Sequence, residues 1–148
     1  MKVAVLMGSE KDAGKMAPAA DVLGRFGIEH DVVVMSAHRA SDRVAEFASG
    51  ARAAGYRVII CGAGKAAHLA GAVAANTTLP VIGVPIAAGA LGGMDALLST
   101  VQMPTGIPVA TVAIDSAANA AYLAASILAL DDDGLAAALA VYRRSLAE

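Results

Sequence analysis

Ser36, Ala37, His38 and Arg39 put a hydroxyl, an imidazole and a guanidinium within one turn of chain. They follow an apolar run at 30–35 and precede a helix-like stretch that begins at Ser41. The tetrapeptide therefore lies at the carboxyl end of a predicted strand, the rim on which open parallel sheets bind ligands. A hydroxyl and an Arg suit a phosphate, and a His suits proton transfer near neutral pH. From type and place alone, His38 reads either as an acid/base or as a structural hydrogen-bonding His. His30, at the far edge of the same strand, reads as surface.

Two further segments carry comparable chemistry. After a first predicted strand come Gly8, Ser9, Glu10, Lys11 and Asp12. Gly8 permits a tight turn and close backbone approach. Ser9 and the free N–H groups of a following helix can hold a phosphate, and Lys11 adds a mobile cation. Asp12 can cap that helix or bind ribose hydroxyls. After a third strand, Gly62, Ala63, Gly64, Lys65, Ala66, Ala67 and His68 read as a loop that wraps a small planar or anionic group. It is not a P-loop: Ile59 stands where the first glycine is needed, and Ala66 where a hydroxyl must follow Lys65. Ala67 likewise breaks the Gly-x-Gly-x-x-Gly pattern. His68, placed one turn into the next helix, is a catalytic candidate or a packing residue. The three His have no compact spacing and there is one Cys, so no metal site is expected.

These loops need a scaffold. Apolar, β-branched runs at 2–7, 30–35, 57–61, 80–84 and 108–113 predict strands. Helix-like stretches at 13–26, 41–54, 66–76, 94–102 and 117–130 alternate with them. Continuous apolar strands imply a parallel sheet covered on both faces. The expected fold is α/β: a three-layer α/β/α sandwich with a doubly wound, mainly parallel five-stranded, flavodoxin-like sheet, as one domain over 1–148. Asp131, Asp132 and Asp133 then cap a C-terminal helix, residues 131–148, with Leu135, Leu139, Tyr142 and Leu146 on one stripe. That helix packs either on its own domain or, as an arm, on a neighbouring subunit. The segments 83–86, 90–95 and 98–104 are small or apolar and read as pocket walls and a lid.

Composition narrows the function classes. A net charge of −2, no basic run and 3% aromatics give no case for nucleic acid. Hydrophobic residues are 57% and charged residues 16%, yet no uninterrupted apolar span reaches membrane length. Residues 1–7 are too short for a signal peptide. Cys61 reads as a buried strand thiol. The expectation is a cytoplasmic protein whose many small side chains leave part of its burial to subunit contacts.

Together the motifs resemble the PurE family of purine biosynthesis, the 5-(carboxyamino)imidazole ribonucleotide mutases. The matching pieces are Gly8-Ser9 with Asp12, Ser36 to Arg39, Gly62 to Gly64, and Ala66-Ala67-His68-Leu69. The runs from Asn76 to Pro85 and from Leu98 to Pro104 also match, so the likeness spans about four-fifths of the chain. The Ala-Ala-His-Leu loop is similar to the bacterial mutase branch. The resemblance implies a homo-octamer with the last helix reaching a neighbour. It also implies a reaction without ATP, metal or other cofactor, on a small imidazole ribonucleotide. A carboxyl group leaves the exocyclic nitrogen, is held as carbon dioxide, and is captured by the adjacent ring carbon. By the same resemblance, Ser9, Lys11, Ser36 and Arg39 lie at the phosphate and Asp12 at the ribose. His38 moves the proton, and the backbone from Gly64 to His68 cradles the migrating carboxylate. Gly62, Ala63, Gly64, Lys65, Ala66 and Ala67 surround the migrating carboxylate, in a pocket expected to exclude water.

Several residues depart from the family pattern. The family has Ser at Lys11, an aromatic at Ala13, Gly at Lys65, Pro at Ala70 and a Gln-Ser-like pair near Ala87-Ala88. The stretch from Ile114 to Asn119 is shorter than its usual Gly-Lys-Ala-Gly loop. Asp115, on that stretch, is expected to balance Lys65. Two alternatives stand beside the mutase: a divergent carboxylase or decarboxylase of another heteroaromatic nucleotide, and a non-catalytic nucleotide-binding oligomer.

Overall fold

The computed structural model describes residues 1–147. The chain runs β1 (Lys2–Met7), a short 3-10 turn (Glu10–Asp12), α1 (Ala13–Arg25), β2 (Glu29–Val34), α2 (Ser41–Gly50) and β3 (Tyr56–Gly64). It continues α3 (Leu69–Ala74), β4 (Val81–Ile86), α4 (Met94–Val101), β5 (Ala110–Thr111), α5 (Ala117–Leu128) and α6 (Asp133–Ser145). The five strands form one parallel sheet in the order β2-β1-β3-β4-β5. The winding direction reverses between β1 and β3, and this switch point fixes where the crevice opens.

Alternation along the strands separates two cores. Val3, Val5 and Met7 join Ile60, Val84, α1 and α5 on one face. Ala4 and Leu6 join Ile59, Cys61, α2 and α3 on the other. Ala120, Ala121, Ala124 and Ala125 are fully buried, which lets α5 lie close to α1. Cys61 is buried as expected, and burial pushes its thiol far up. Among the described residues no helix is long and apolar enough to cross a membrane.

Several boundaries differ from the sequence reading. β3 runs on through Gly62, Ala63 and Gly64, which pair with Val84, Pro85 and Ile86, so these glycines belong to a strand and not to a loop. α3 begins only at Leu69, which makes His68 the residue that opens the helix. β5 is two residues long, because the chain leaves the sheet after Val112 donates to the Gly83 carbonyl. β2 is an edge strand with Val32 half exposed, so it is not covered on both faces.

α6 is capped by the Asp132 side chain, which accepts from the Leu135 N–H at 2.9 Å. Within the chain it is not a free arm. Tyr142 stacks on Tyr122 with ring centroids 4.7 Å apart, and both rings meet Phe26 edge-on. Leu135 is buried and Leu139 packs on the core, but Leu146, expected on the same stripe, is 67% exposed.

Candidate active site

A cavity of about 490 Å³ opens at the carboxyl ends of β1, β2 and β3. Its first wall follows β1. Ser9 caps the 3-10 turn, its Oγ accepting from the Lys11 N–H at 3.3 Å, and Ser9, Lys11 and Asp12 all face the cavity. The Gly8 N–H donates to the Gly62 carbonyl at 3.1 Å, tying this turn to β3. A side chain at Gly8 would meet only ordinary contacts, so close approach does not require glycine there. Burial pushes the Asp12 carboxyl above its ordinary range, against the opposing pull of the Ser9 backbone and Lys15.

The second wall follows β2. Ser36 Oγ accepts from the Arg39 backbone N–H at 3.3 Å and from Arg39 Nε at 3.5 Å. The turn thus holds hydroxyl and guanidinium side by side, with His38 between them in sequence. The third wall is the end of β3. Ala63, Gly64, Lys65, Ala66 and His68 line the cavity. Lys65 turns the chain with φ of 54°, a left-handed conformation that costs a side-chain-bearing residue roughly 1–2 kcal/mol.

The second and third walls meet at the two imidazoles. His38 Nε2 lies 2.5 Å from His68 Nδ1, with ring centroids 4.7 Å apart and planes at 88°. Nitrogens that close need one proton between them, one ring donating and the other accepting. Three cations (Lys11, Arg39, Lys65) and one carboxylate (Asp12) line the cavity, a balance that suits a ligand carrying both phosphate and carboxylate.

The family model for AIR carboxylase matches residues 2–148. The chain belongs to the AIR carboxylase family. It is 55% identical over 148 residues to the N5-carboxyaminoimidazole ribonucleotide mutase of Brucella melitensis, covering 99% of this chain and 91% of that protein. The mutase of the same name from Thermotoga maritima is 49% identical over 145 residues, covering 98% and 85%. The crystal structure of Treponema denticola PurE superposes with a TM-score of 0.90 at 33% identity, covering 99% of this chain and 91% of that one. The PurE-like fold read from the motifs is therefore the fold of this AIR carboxylase family member.

Two of the residues expected around the carboxylate lie elsewhere. Gly62 is buried under α1: a Cβ there would sit 2.2 Å from Met16 Sδ, so glycine makes room for a core methionine. Ala67 is also buried and does not line the cavity. Asp115 does not balance Lys65. It pairs with Lys15 at 2.8 Å, and Lys65 instead runs past Gly89. The segments expected as walls and lid contribute nothing to the lining. Val84 and Ile86 are core, and Leu91, Met94 and Leu98 are exposed. Ala88, singled out in the sequence only as part of a departure from the family pattern, lines the cavity instead. The strand order places the end of β4 beside that of β3, which brings Ala88 to the cavity. His38, His68, Lys65 and Ala66 are exposed, so one chain alone does not exclude water from the mouth.

Proposed function

We propose that this protein is an N5-carboxyaminoimidazole ribonucleotide mutase of purine biosynthesis. It moves a carboxyl group from the exocyclic nitrogen to the adjacent ring carbon. The observation that carries the reading is the His38–His68 pair, set in one cavity between a hydroxyl–guanidinium turn and the end of β3. In this reading Arg39, Ser36 and Ser9 hold the phosphate, Arg39 through paired N–H donors. Lys11 adds charge, and Asp12 accepts from the ribose hydroxyls.

His38 carries the proton. The carbamate N–C bond breaks, its electron pair returns to nitrogen, and His38 protonates that nitrogen. The products are the amine and carbon dioxide. The ring carbon then attacks carbon dioxide, and His38 removes the proton from that carbon. Protons balance over the cycle, so a single imidazole serves as acid and then base. His68 orients His38 through their shared proton. The turn at Gly64, Lys65 and Ala66 faces the carboxyl group. Holding carbon dioxide against the ring converts its recapture into an intramolecular step.

The reading extends to a cytoplasmic homo-octamer. Leu91, Met94, Leu98 and Val101 form an exposed apolar strip on and before α4, and a neighbouring subunit in such an assembly would cover it. Sedimentation of the purified protein checks the assembly. The activity test supplies the carboxyamino nucleotide without ATP and follows absorbance of the ring-carboxylated product. Product formation well above the protein-free rate supports the mutase. Product only from the aminoimidazole nucleotide plus bicarbonate would replace it with a carboxylase.

A further inference from the structure

We propose that Lys15 and Asp115 form a positioning clamp that holds the Ala87–Ala88 wall against Gly64, so that carbon dioxide formed in the pocket is recaptured by the ring and not lost. The inference rests on the mutase reading and adds two residues that do not line the cavity. Lys15 lies on α1, Asp115 between β5 and α5, and Ala87 just after β4.

The three meet in a closed ring of hydrogen bonds. Lys15 Nζ donates to the Ala87 carbonyl at 2.6 Å and to Asp115 Oδ2 at 2.8 Å. The Ala87 N–H donates to Asp115 Oδ1 at 2.9 Å. One ion pair therefore grips both polar groups of a single peptide residue and fixes its orientation. Asp115 itself is held at φ of 58°, with its N–H donating to the Pro85 carbonyl at 2.8 Å. Backbone in that region persists where surrounding contacts determine it.

The grip passes directly to the cavity. The Cβ of Ala88, the next residue, is 2.9 Å from the position a Cβ on Gly64 would take. Gly89 follows at φ of 82°, with Lys65 Cε 3.1 Å from its own Cβ position. Farther along, a Cβ on Gly93 would meet Ile114 at 2.7 Å and Ala87 at 3.1 Å, so the far end of the loop is also pressed on the clamp. Rotation of the Ala87 peptide would move the backing of both Gly64 and Lys65. The Lys15 and Asp115 side chains are 41% and 36% exposed, so the pair itself contributes little to global stability.

The test is a single turnover of the full chain with the carboxyamino nucleotide. It quantifies ring-carboxylated product against decarboxylated aminoimidazole nucleotide, after subtracting loss in protein-free buffer. K15M and D115N, the second of which tolerates the left-handed backbone, should raise the decarboxylated fraction at least about threefold. K15R, which can reach both partners, should return the ratio toward wild type. Folded K15M that partitions like wild type, or K15R as leaky as K15M, overturns the clamp. Failure of wild type to form any ring-carboxylated product would instead overturn the mutase reading beneath it.

Discussion

His68 Nδ1 faces His38 Nε2 across 2.5 Å, although the two residues lie 30 positions apart and on different walls of the cavity. The turn after β2 and the start of α3 meet there across the end of β1, which lies between β2 and β3 and carries the phosphate-side turn. The switch point thus brings the proton carrier and its partner over the place where substrate must lie.

Removing the partner should weaken catalysis without removing it. A hydrogen bond to a charged group is worth about 1.5–3 kcal/mol. His68→Ala should therefore lower kcat by roughly 10-fold to 100-fold and leave KM nearly unchanged. Steady-state kinetics check this; an unaltered kcat would remove His68 from the reaction.

Arg39 should act on binding. Arg39→Ala removes the guanidinium that Ser36 steadies, and KM should rise about 10-fold to 100-fold with kcat changed far less. Arg39→Lys keeps the charge and loses the paired donors, so an intermediate KM is expected. Equal KM values for Arg39→Ala and wild type would place the phosphate elsewhere.

Gly62 should matter for packing and not for chemistry. A Cβ there would fall within 3.0 Å of three Met16 side-chain atoms. Gly62→Ala should cost about 1–3 kcal/mol of stability and retain wild-type kcat per folded molecule. Denaturant unfolding alongside kinetics checks both halves, and a stable but inactive variant would return Gly62 to the pocket.

Asp115 should add a small, pH-dependent increment to stability, reduced by solvent screening because both partners are more than one-third exposed. Burial pushes its carboxyl up, but the Lys15 ammonium and the Ala87 N–H outweigh this and hold it below the usual range. A carboxyl lowered on folding adds stability above its unfolded pKa, and that stability is lost as pH falls through the folded value. The stability gap between wild type and Asp115→Asn should therefore be constant near neutral pH and close as pH drops below about 4. A gap that widens in acid would contradict the assigned direction.

The fold was legible because continuous apolar runs alternate with helix-like stretches: Val3 to Met7 are apolar throughout, and successive residues fill the two cores in turn. Ser9, Lys11, Asp12, Ser36, His38, Arg39, Lys65 and His68 were legible because each follows a strand, where parallel topology gathers side chains on one rim. Gly62 was misplaced because glycine after an apolar run reads as a turn. Its reason for being glycine is Met16, 46 residues earlier in the chain. Lys15 was invisible for a similar reason: it sits on an Ala-rich helix, and its partner stands 100 residues away. Sequence periodicity reports which face a residue occupies, but not which distant loop that face will meet.

The most direct measurement compares His38→Asn with wild type for turnover and nucleotide binding. General acid–base catalysis contributes about 100-fold to 10,000-fold. The variant should lose turnover on that scale while binding the aminoimidazole nucleotide within about threefold of wild type, since Ser9, Ser36 and Arg39 remain. Turnover in His38→Asn comparable to wild type would contradict the proton-transfer role on which the mechanism rests.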